Sequence, residues 1–487
     1  MNGQVTIGRL DGNLFFGLEL EDVDVVMDGK TVVDIKDVGL DYNAFTFIRG
    51  DVVLDDIRLN QPVFRVERTA DGWNIARLIR ARTPDRPRGR RAIEIGEIGV
   101  SDGSMYIEDA VGTSGVDIPE RIERIDASIG VTSDEDALVV DLAHVSFRAA
   151  EPTIGLNALS GVIRRTPGAV AFENVSVRTE ESAFRVDGSV TTSAGEARVV
   201  DLDASSDKVA IDEISRIIPA LRGYLLQPAF QVTARGPMER LVVDLQAREA
   251  NLGDVNGELT VDADGPERRV TGHVAMARMN IAPLVRGASR AAHPSTVTSD
   301  ITGDAQIDMV LPSQGAPLRG TYTLRASRAR VAGYEARNVN ARGRIDGDVV
   351  RVNGAADAYG GRATAVGTVT LGDPVALELT GRAASLDMRN LPPQLNMPGV
   401  PSDLQFAYTV RGRRGIYAGT LAFGASTLAG ASIDPGTTGE FQFGGGAPQY
   451  AAKAASRVST SSKSAAALPS LPSATCDFAD GSTRRST

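Results

Sequence analysis

The sequence predicts a nearly all-β protein built on an extended, repetitive antiparallel sheet. Three observations predict it: short runs of alternating apolar and polar residues recur along most of the chain, glycine-rich turns separate them, and large aromatic residues are rare. Successive side chains point to opposite faces of a strand, so each run has one apolar and one mostly polar face. Aromatic residues make up 5% of the chain and glycines number 51, which favours thin sheet layers over one dense globule.

The repeat is clearest in residues 206–285. This segment begins with a short helical cap, residues 207–221, whose isoleucines recur at helical spacing before Pro219, and continues as four alternating runs. Residues 277–285 and 384–395 show the same order of two apolar residues about three apart followed by proline. The spacing between the caps is uneven, so the sequence predicts a loose repeat with a short helix at each boundary.

The apolar residues that share a face of these strands are the candidate functional residues. Polar residues such as Asp244 and Gln246 alternate with them, so the apolar side chains of each run point the same way. We predict that they face one common interior, which the later strand at residues 362–371 continues. The predicted lining residues are Leu241, Val243, Leu245, Leu259, Val261, Val274, Met276, Val369 and Leu371.

Two architectures are compatible with this pattern. The apolar face of a sheet must be covered, and so few helices leave either a facing sheet or a curled sheet. A facing sheet gives a dry sandwich core, whereas a curled sheet gives a hydrophobic groove suited to acyl chains. Alternation is the same in both cases, but only the dry core would bury the carboxylate of a charged substitution.

The chain divides by composition into strand-rich segments joined by polar breaks. Basic, proline-rich residues 84–91 and polar residues 286–299 indicate loops. From residue 444 the chain is rich in alanine and serine without alternation, which predicts a disordered tail. The predicted segments are strands 1–83, loop 84–91, strands 92–205, cap and strands 206–285, loop 286–299, strands 300–443 and tail 444–487.

Composition and motifs argue against several classes of function. The net charge of −10 and pI near 5.1 disfavour nucleic-acid binding. We find no signal peptide and no apolar run long enough to cross a bilayer. The single cysteine, Cys476, excludes disulfide scaffolds and thiolate metal sites. His144, His273 and His293 lack metal-binding spacing, and nucleotide-binding and hydrolase motifs are missing, so we predict a non-enzyme without cofactor or metal.

Several short motifs, taken in order, resemble the AsmA-like family, TamB type, over residues 1–443. The family has a P-x-F-x-V strand, a DGxxN turn and then a strand with an Asp-Gly pair. The later segments VAIDEISRIIPAL, MNIAPLV, LDMRNLP and SDITGDAQIDMVL are also similar to this family. The matching residues of the first motifs are Pro62, Phe64, Val66, Asp71, Gly72, Asn74, Ile98, Asp102, Gly103 and Asp109.

The resemblance implies a long sheet curled into a taco-like hydrophobic groove. It also implies a periplasmic envelope protein that carries phospholipid between the inner and outer membranes. The family typically has an N-terminal inner-membrane anchor, and TamB-type members have a C-terminal domain that engages an outer-membrane barrel partner. Neither is found here, so we expect a truncated member. The alternatives are an assembly factor for outer-membrane β-barrel or autotransporter proteins, and a structural β-repeat protein or adhesin.

Overall fold

The chain folds almost entirely into β-strands, which make up 74% of the structure against 5% helix. This computed structural model describes residues 3–453 outside a set of gaps. The predicted loop 84–91 and most of the predicted loop 286–299 lie outside the described residues. The gaps are 14, 16, 43–51, 70–71, 76–92, 109–115, 135, 193–197, 266, 285–297, 312–316, 332, 372–374 and 445–447.

The strands follow one another along the described chain. In the first half they are β1 (Gln4–Asn13), β2 (Gly17–Met27), β3 (Lys30–Tyr42), β4 (Val52–Asn60), β5 (Val63–Thr69), β6 (Gly72–Trp73), β7 (Ile93–Glu108), β8 (Arg121–Ser133), β9 (Leu138–Ala150), β10 (Ile154–Thr166), β11 (Ala169–Thr179), β12 (Ala183–Thr191), β13 (Val199–Lys208), β14 (Ala229–Pro237) and β15 (Leu241–Glu249). In the second half they are β16 (Gly253–Asp262), β17 (Arg269–Met279), β18 (Ser299–Val310), β19 (Arg319–Val331), β20 (Tyr334–Asp346), β21 (Val349–Ala358), β22 (Gly361–Thr370), β23 (Ala376–Leu386), β24 (Ser402–Arg413), β25 (Ile416–Phe423), β26 (Ser426–Leu428), β27 (Ala431–Ile433), β28 (Thr438–Phe443) and β29 (Gln449–Lys453).

Helical segments are short. The one α-helix with assigned bounds is α1 (Ile211–Ile214), and residues 282–284 are also helical. The 3-10 helices are Pro219–Leu221, Met238–Arg240, Met388–Asn390 and Pro393–Leu395.

The strands form one long ladder. From β7 to β25 each strand pairs antiparallel with the next, and β28 and β29 extend the ladder beyond β25, while β26 and β27 form a small hairpin beside β24. At the other end β1, β2, β3 and β4 pair in order. The predicted fold class, an elongated repetitive β-sheet, is therefore confirmed.

Two pairings are parallel. β4 and β5 lie in line between β3 and β7, interrupted at Gln61 and Pro62, and both run parallel to β7. Parallel neighbours cannot be joined by a tight turn, and β5 and β7 are separated by residues 70–92 of the chain. The sequence did not predict these pairings, because alternation is the same for either strand direction.

The tightest packing lies at the N-terminal end. A cluster on β2 and β3, including Val25, Val33 and Ile35, is buried, and Ile75 packs against it from the segment after β6. The buried Asn74 fixes this segment: its Oδ1 accepts hydrogen bonds from the Glu67 N–H (3.0 Å) and the Ile75 N–H (2.7 Å). Asn74 belongs to the DGxxN motif, so this motif residue attaches the covering segment to β5.

The predicted caps all follow strands that end along the same border of the sheet. Strands β13, β17 and β23 run in the same direction, and a helical segment follows each of them. In each cap, a backbone N–H at the start of the cap donates a hydrogen bond to the hydroxyl of a serine at, or directly before, the start of a neighbouring strand. These hydrogen bonds join Ala210 to Ser182 (3.0 Å), Ile281 to Ser299 (2.8 Å) and Met388 to Ser402 (2.7 Å). The three capping segments that share a sequence pattern therefore also share one structure.

The first cap is held by a fully buried carboxylate, that of Glu213 on α1. Its Oε2 accepts hydrogen bonds from the hydroxyls of Thr179 and Ser182, both at 2.6 Å. Its Oε1 accepts from the backbone N–H groups of Glu180 (3.1 Å) and Glu181 (3.2 Å). Because a carboxylate is an acceptor only, these four donors satisfy it and tie the cap to the turn between β11 and β12.

The segment expected to be a disordered tail contains one strand. Residues 449–453 form β29, which pairs with β28 through Phe441 and Tyr450. Small alanines obscure the alternation in this strand, so the sequence did not reveal it. Residues 454–487 lie outside the described part of the chain.

Candidate functional site

Eight of the nine predicted lining residues lie on one face of the sheet, and the ninth, Leu371, lies just beyond a strand. In an antiparallel ladder, directly paired residues point to the same side, so rows can be followed from strand to strand. One row pairs Val243 with Leu259, and the next pairs Leu245 with Gly257 and then Val274.

The other predicted residues fall on the rows beside these. Met276 lies one row further, opposite Val255. Leu241 pairs with Val261, whose row continues through successive strands to Val369 on β22. Leu371 lies just beyond that strand, where its N–H donates to the Asp348 carbonyl (2.7 Å).

The row that contains Val243 runs the length of the ladder, and we call it the central row. Each ladder strand from β3 to β29 contributes one residue to it, and none of them carries a formal charge. Its members are Tyr42, Leu54, Ile95, Val131, Val140, Ile163, Phe172, Gly188, Leu202, Ala234, Val243, Leu259, Gly272, Ile307, Tyr322, Gly343, Val352, Gly367, Leu379, Val410, Gly419, Phe441 and Tyr450.

The central row is half-buried rather than buried. All of its members retain intermediate exposure except Tyr450, which is 43% exposed. By contrast, Val25 and Val33 are buried in the N-terminal cluster against which Ile75 packs. In a closed sandwich, side chains in the middle of the inner face would be as buried as those of this cluster. Within the described residues, the central row is therefore partly exposed, while inward neighbours such as Val200 (6% exposed) and Ala326 (3%) are buried.

The opposite face is charged and exposed. Val242, next to Val243, is 48% exposed, and the outward positions around it carry cross-strand ion pairs. Arg235 donates to Asp201 (3.0 Å), and Arg269 donates to both carboxylate oxygens of Asp308 (2.7 and 2.5 Å). The Arg269 hydrogen bond holds the pKa of the Asp308 carboxyl below its ordinary value. Exposed ion pairs of this kind contribute little to the stability of the fold, and their charged groups remain hydrated.

Three glycines of the central row have a positive φ: Gly188 (+128°), Gly272 (+148°) and Gly367 (+158°). A Cβ at these positions would overlap the carbonyl oxygens of Asp201, Glu258 and Glu378 on the neighbouring strands. Only glycine adopts such a backbone without strain.

Other glycines accommodate aromatic rings. The Tyr322 hydroxyl passes over Gly343, where an added Cβ would lie 2.9 Å from it, and the Tyr408 ring covers Gly381 in the same way at 2.7 Å. Burial raises the pKa of both tyrosine hydroxyls. The sequence analysis missed these pairs, although alternating glycines and tyrosines at inward positions were visible as a signal.

Burial raises the pKa of the Tyr334 and Tyr450 hydroxyls on the C-terminal strands. Tyr359 and Tyr417 add to the rise of the pKa of Tyr334, and Tyr334 adds to that of Tyr450.

Two of the three histidines, His144 and His273, belong to the described part of the chain, and His293 lies outside it. His144 lies 3.2 Å from the Ser146 hydroxyl, and His273 lies 3.3 Å from Asp304 on the outward face. In the part of the chain that the structure describes, His, Cys, Asp and Glu side chains form no group of three or more that could hold a metal ion. A search of the same residues found no helix long and apolar enough to span a membrane.

The fold and this face define the class of protein: an elongated β-repeat protein whose sheet has one apolar and one charged face. Comparisons with protein-family models, with curated proteins and with solved structures found no match to the chain.

Proposed function

We propose that this protein carries phospholipid along its apolar face, as a cell-envelope protein of the periplasm that connects the inner and outer membranes. The observation that carries the proposal is the central row, an uncharged line across the ladder that remains partly exposed. Large exposed apolar surfaces on soluble proteins mark binding sites, because leaving them in water is costly.

The chemistry of the face suits acyl chains. From β13 to β18 the central row is made of Leu202, Ala234, Val243, Leu259, Gly272 and Ile307, which are aliphatic side chains and glycines. Such a surface offers contact without hydrogen bonds, and each methylene removed from water contributes about 0.8 kcal/mol. An acyl chain that touches the face on one side only gains part of this free energy per methylene. It can therefore be held on the face and can also move along it.

The dimensions of the ladder suit a bridge. Neighbouring strands lie about 4.8 Å apart, so the central row has a contour of about 100 Å. This is several times the hydrocarbon thickness of a bilayer, about 30 Å. The envelope location and the connection between two membranes rest on the resemblance of the motifs at Pro62–Asn74 and Ile98–Asp109 to the AsmA-like family.

The proposal is tested by purifying the protein from a Gram-negative host, extracting bound lipid and identifying it by mass spectrometry. We expect phospholipid at a substantial molar ratio, and transfer of labelled phospholipid between donor and acceptor vesicles when the protein is added. Absence of both bound lipid and transfer would contradict the proposal. Crosslinks to strands of an outer-membrane barrel substrate, without lipid, would instead support the assembly-factor alternative.

A further inference from the structure

Strand β1 is an edge of the ladder. Among the described residues it pairs with β2 alone, so one side of its backbone has no strand beside it. All ten of its residues are exposed, including three large apolar ones, Val5 (44%), Ile7 (41%) and Leu10 (55%). The unpaired N–H and C=O groups of such an edge are a template for pairing with a further strand.

The exposed apolar residues of β1 continue rows that are buried on the next strand. Val5 pairs with Val25 and Ile7 with Val23, and both partners belong to the buried N-terminal cluster. The apolar face of the sheet therefore reaches its edge strand and ends there in water. A strand added to β1 would extend these rows and bury their last side chains.

The inward positions shift by one residue at the centre of β1. Leu10 pairs with Leu20, which packs against the same cluster, so Leu10 points inward like Ile7 although it lies three residues further along. The regular pairing is interrupted between them, where Asp22 of β2 has a φ of +51°. The strand therefore has inward positions at residues 5 and 7 before the interruption and at residues 10 and 12 after it.

This arrangement makes β1 self-complementary. The four inward positions lie symmetrically about the bond between Gly8 and Arg9. A second β1, antiparallel and related by a two-fold axis at that bond, places inward residues opposite inward residues along the whole strand. A shift by one residue would instead place inward residues opposite outward ones. The pairs formed across the two-fold axis are Ile7 with Leu10, Val5 with Gly12, Thr6 with Asp11, Gln4 with Asn13 and Gly8 with Arg9.

The charges of β1 are compatible with this pairing. Its two charged residues, Arg9 and Asp11, form an ion pair within the strand (2.7 Å), and across the two-fold axis each of them faces an uncharged residue. The edge at the other end of the ladder differs. There β29 is five residues long and ends in Lys453, and both features hinder the addition of a strand.

We infer that β1 is the interface for a second copy of this chain, which pairs antiparallel with it about the Gly8–Arg9 bond. The two ladders then form one sheet, and their apolar faces are continuous because the two-fold axis is perpendicular to the sheet. The same residues serve both copies, so the assembly closes as a dimer, whereas pairing of β1 with β29 would build an open filament. The interface does not depend on lipid carriage.

The test measures the mass of the full chain in solution by sedimentation velocity over a dilution series. We expect the parent protein to be a dimer. Ile7→Glu and Leu10→Lys should each weaken dimerisation by about tenfold or more, because each new charge occurs twice in the interface and faces an apolar residue. An equimolar mixture of the two variants should dimerise again. In the mixed dimer the new carboxylate faces the new ammonium group, and the remaining Leu10 faces the remaining Ile7.

Tyr450→Lys is the matched control at the opposite edge, where it replaces a 43% exposed ring on β29, and it should leave the dimer intact. Recovery of the dimer in the mixture also shows that both single variants fold. A monomeric parent protein would overturn the inference, as would dimers that persist in both single variants. A mixture that stays monomeric would overturn the two-fold register and the inference with it. Larger assemblies that are lost only in Tyr450→Lys would show head-to-tail pairing instead.

Discussion

Glu213 provides a sharp test of how the first cap is attached to the sheet. The Glu213→Ala substitution removes the acceptor for four hydrogen bonds. The Thr179 hydroxyl has a second acceptor in the Ser182 carbonyl at 3.2 Å, but the N–H groups of Glu180 and Glu181 lose theirs. Each unsatisfied donor costs about 1–3 kcal/mol, and Glu180 and Glu181 are exposed enough for water to offset part of it. We therefore expect the substitution to lower the free energy of opening of the cap by about 2–4 kcal/mol.

Hydrogen exchange measured by mass spectrometry is the appropriate assay, because a long repeat sheet does not unfold as one unit. Exchange in residues 179–182 and 209–228 should accelerate about 30-fold or more, while strands β15–β17 stay protected. Asp212→Ala is the control, since this neighbour on α1 makes none of the four bonds, and it should leave exchange nearly unchanged. Unaltered protection in Glu213→Ala would refute the reasoning.

Two further predictions concern the apolar face. Val243→Asp and Val261→Asp should change the melting temperature no more than Val242→Asp on the outward face, because a carboxylate on an open face stays hydrated. Both inward substitutions should also lower the amount of bound lipid. A loss of several kcal/mol of folding free energy, as expected in a dry core, would show that the face is closed. Gly272→Ala should destabilise its strand pair by about 1–3 kcal/mol in thermal unfolding, because its backbone suits only glycine, whereas Gly257→Ala meets only ordinary contacts and should be tolerated. Equal effects of the two alanines would contradict the assigned role of Gly272.

Alternation in the sequence was enough to predict the strands and their apolar faces. Leu241, Val243 and Leu245 share a side because side chains alternate along any strand. The capping segments were also predictable, because helical spacing and a following proline are local signals. These features depend on residues close together in the chain.

Features that depend on distant residues were not predictable in the same way. The burial of Glu213 requires the turn at residues 179–182, which is remote in sequence. The rows depend on register, which bulges shift, as at Arg278 between Met276 and Met279. The pairing of tyrosines with glycines follows from that register. The parallel alignment of β4 and β5 with β7 depends on the path of the crossover rather than on alternation.

Site-specific photocrosslinking tests the central claim most directly. A photoreactive amino acid is placed at Val243 on the apolar face or at Val242 on the outward face, and adducts are identified after irradiation in cells. The account predicts a phospholipid adduct at Val243 and none at Val242, because only the first position lies on the central row. Lipid adducts at neither position, or equally at both, would contradict the claim that the apolar face carries lipid.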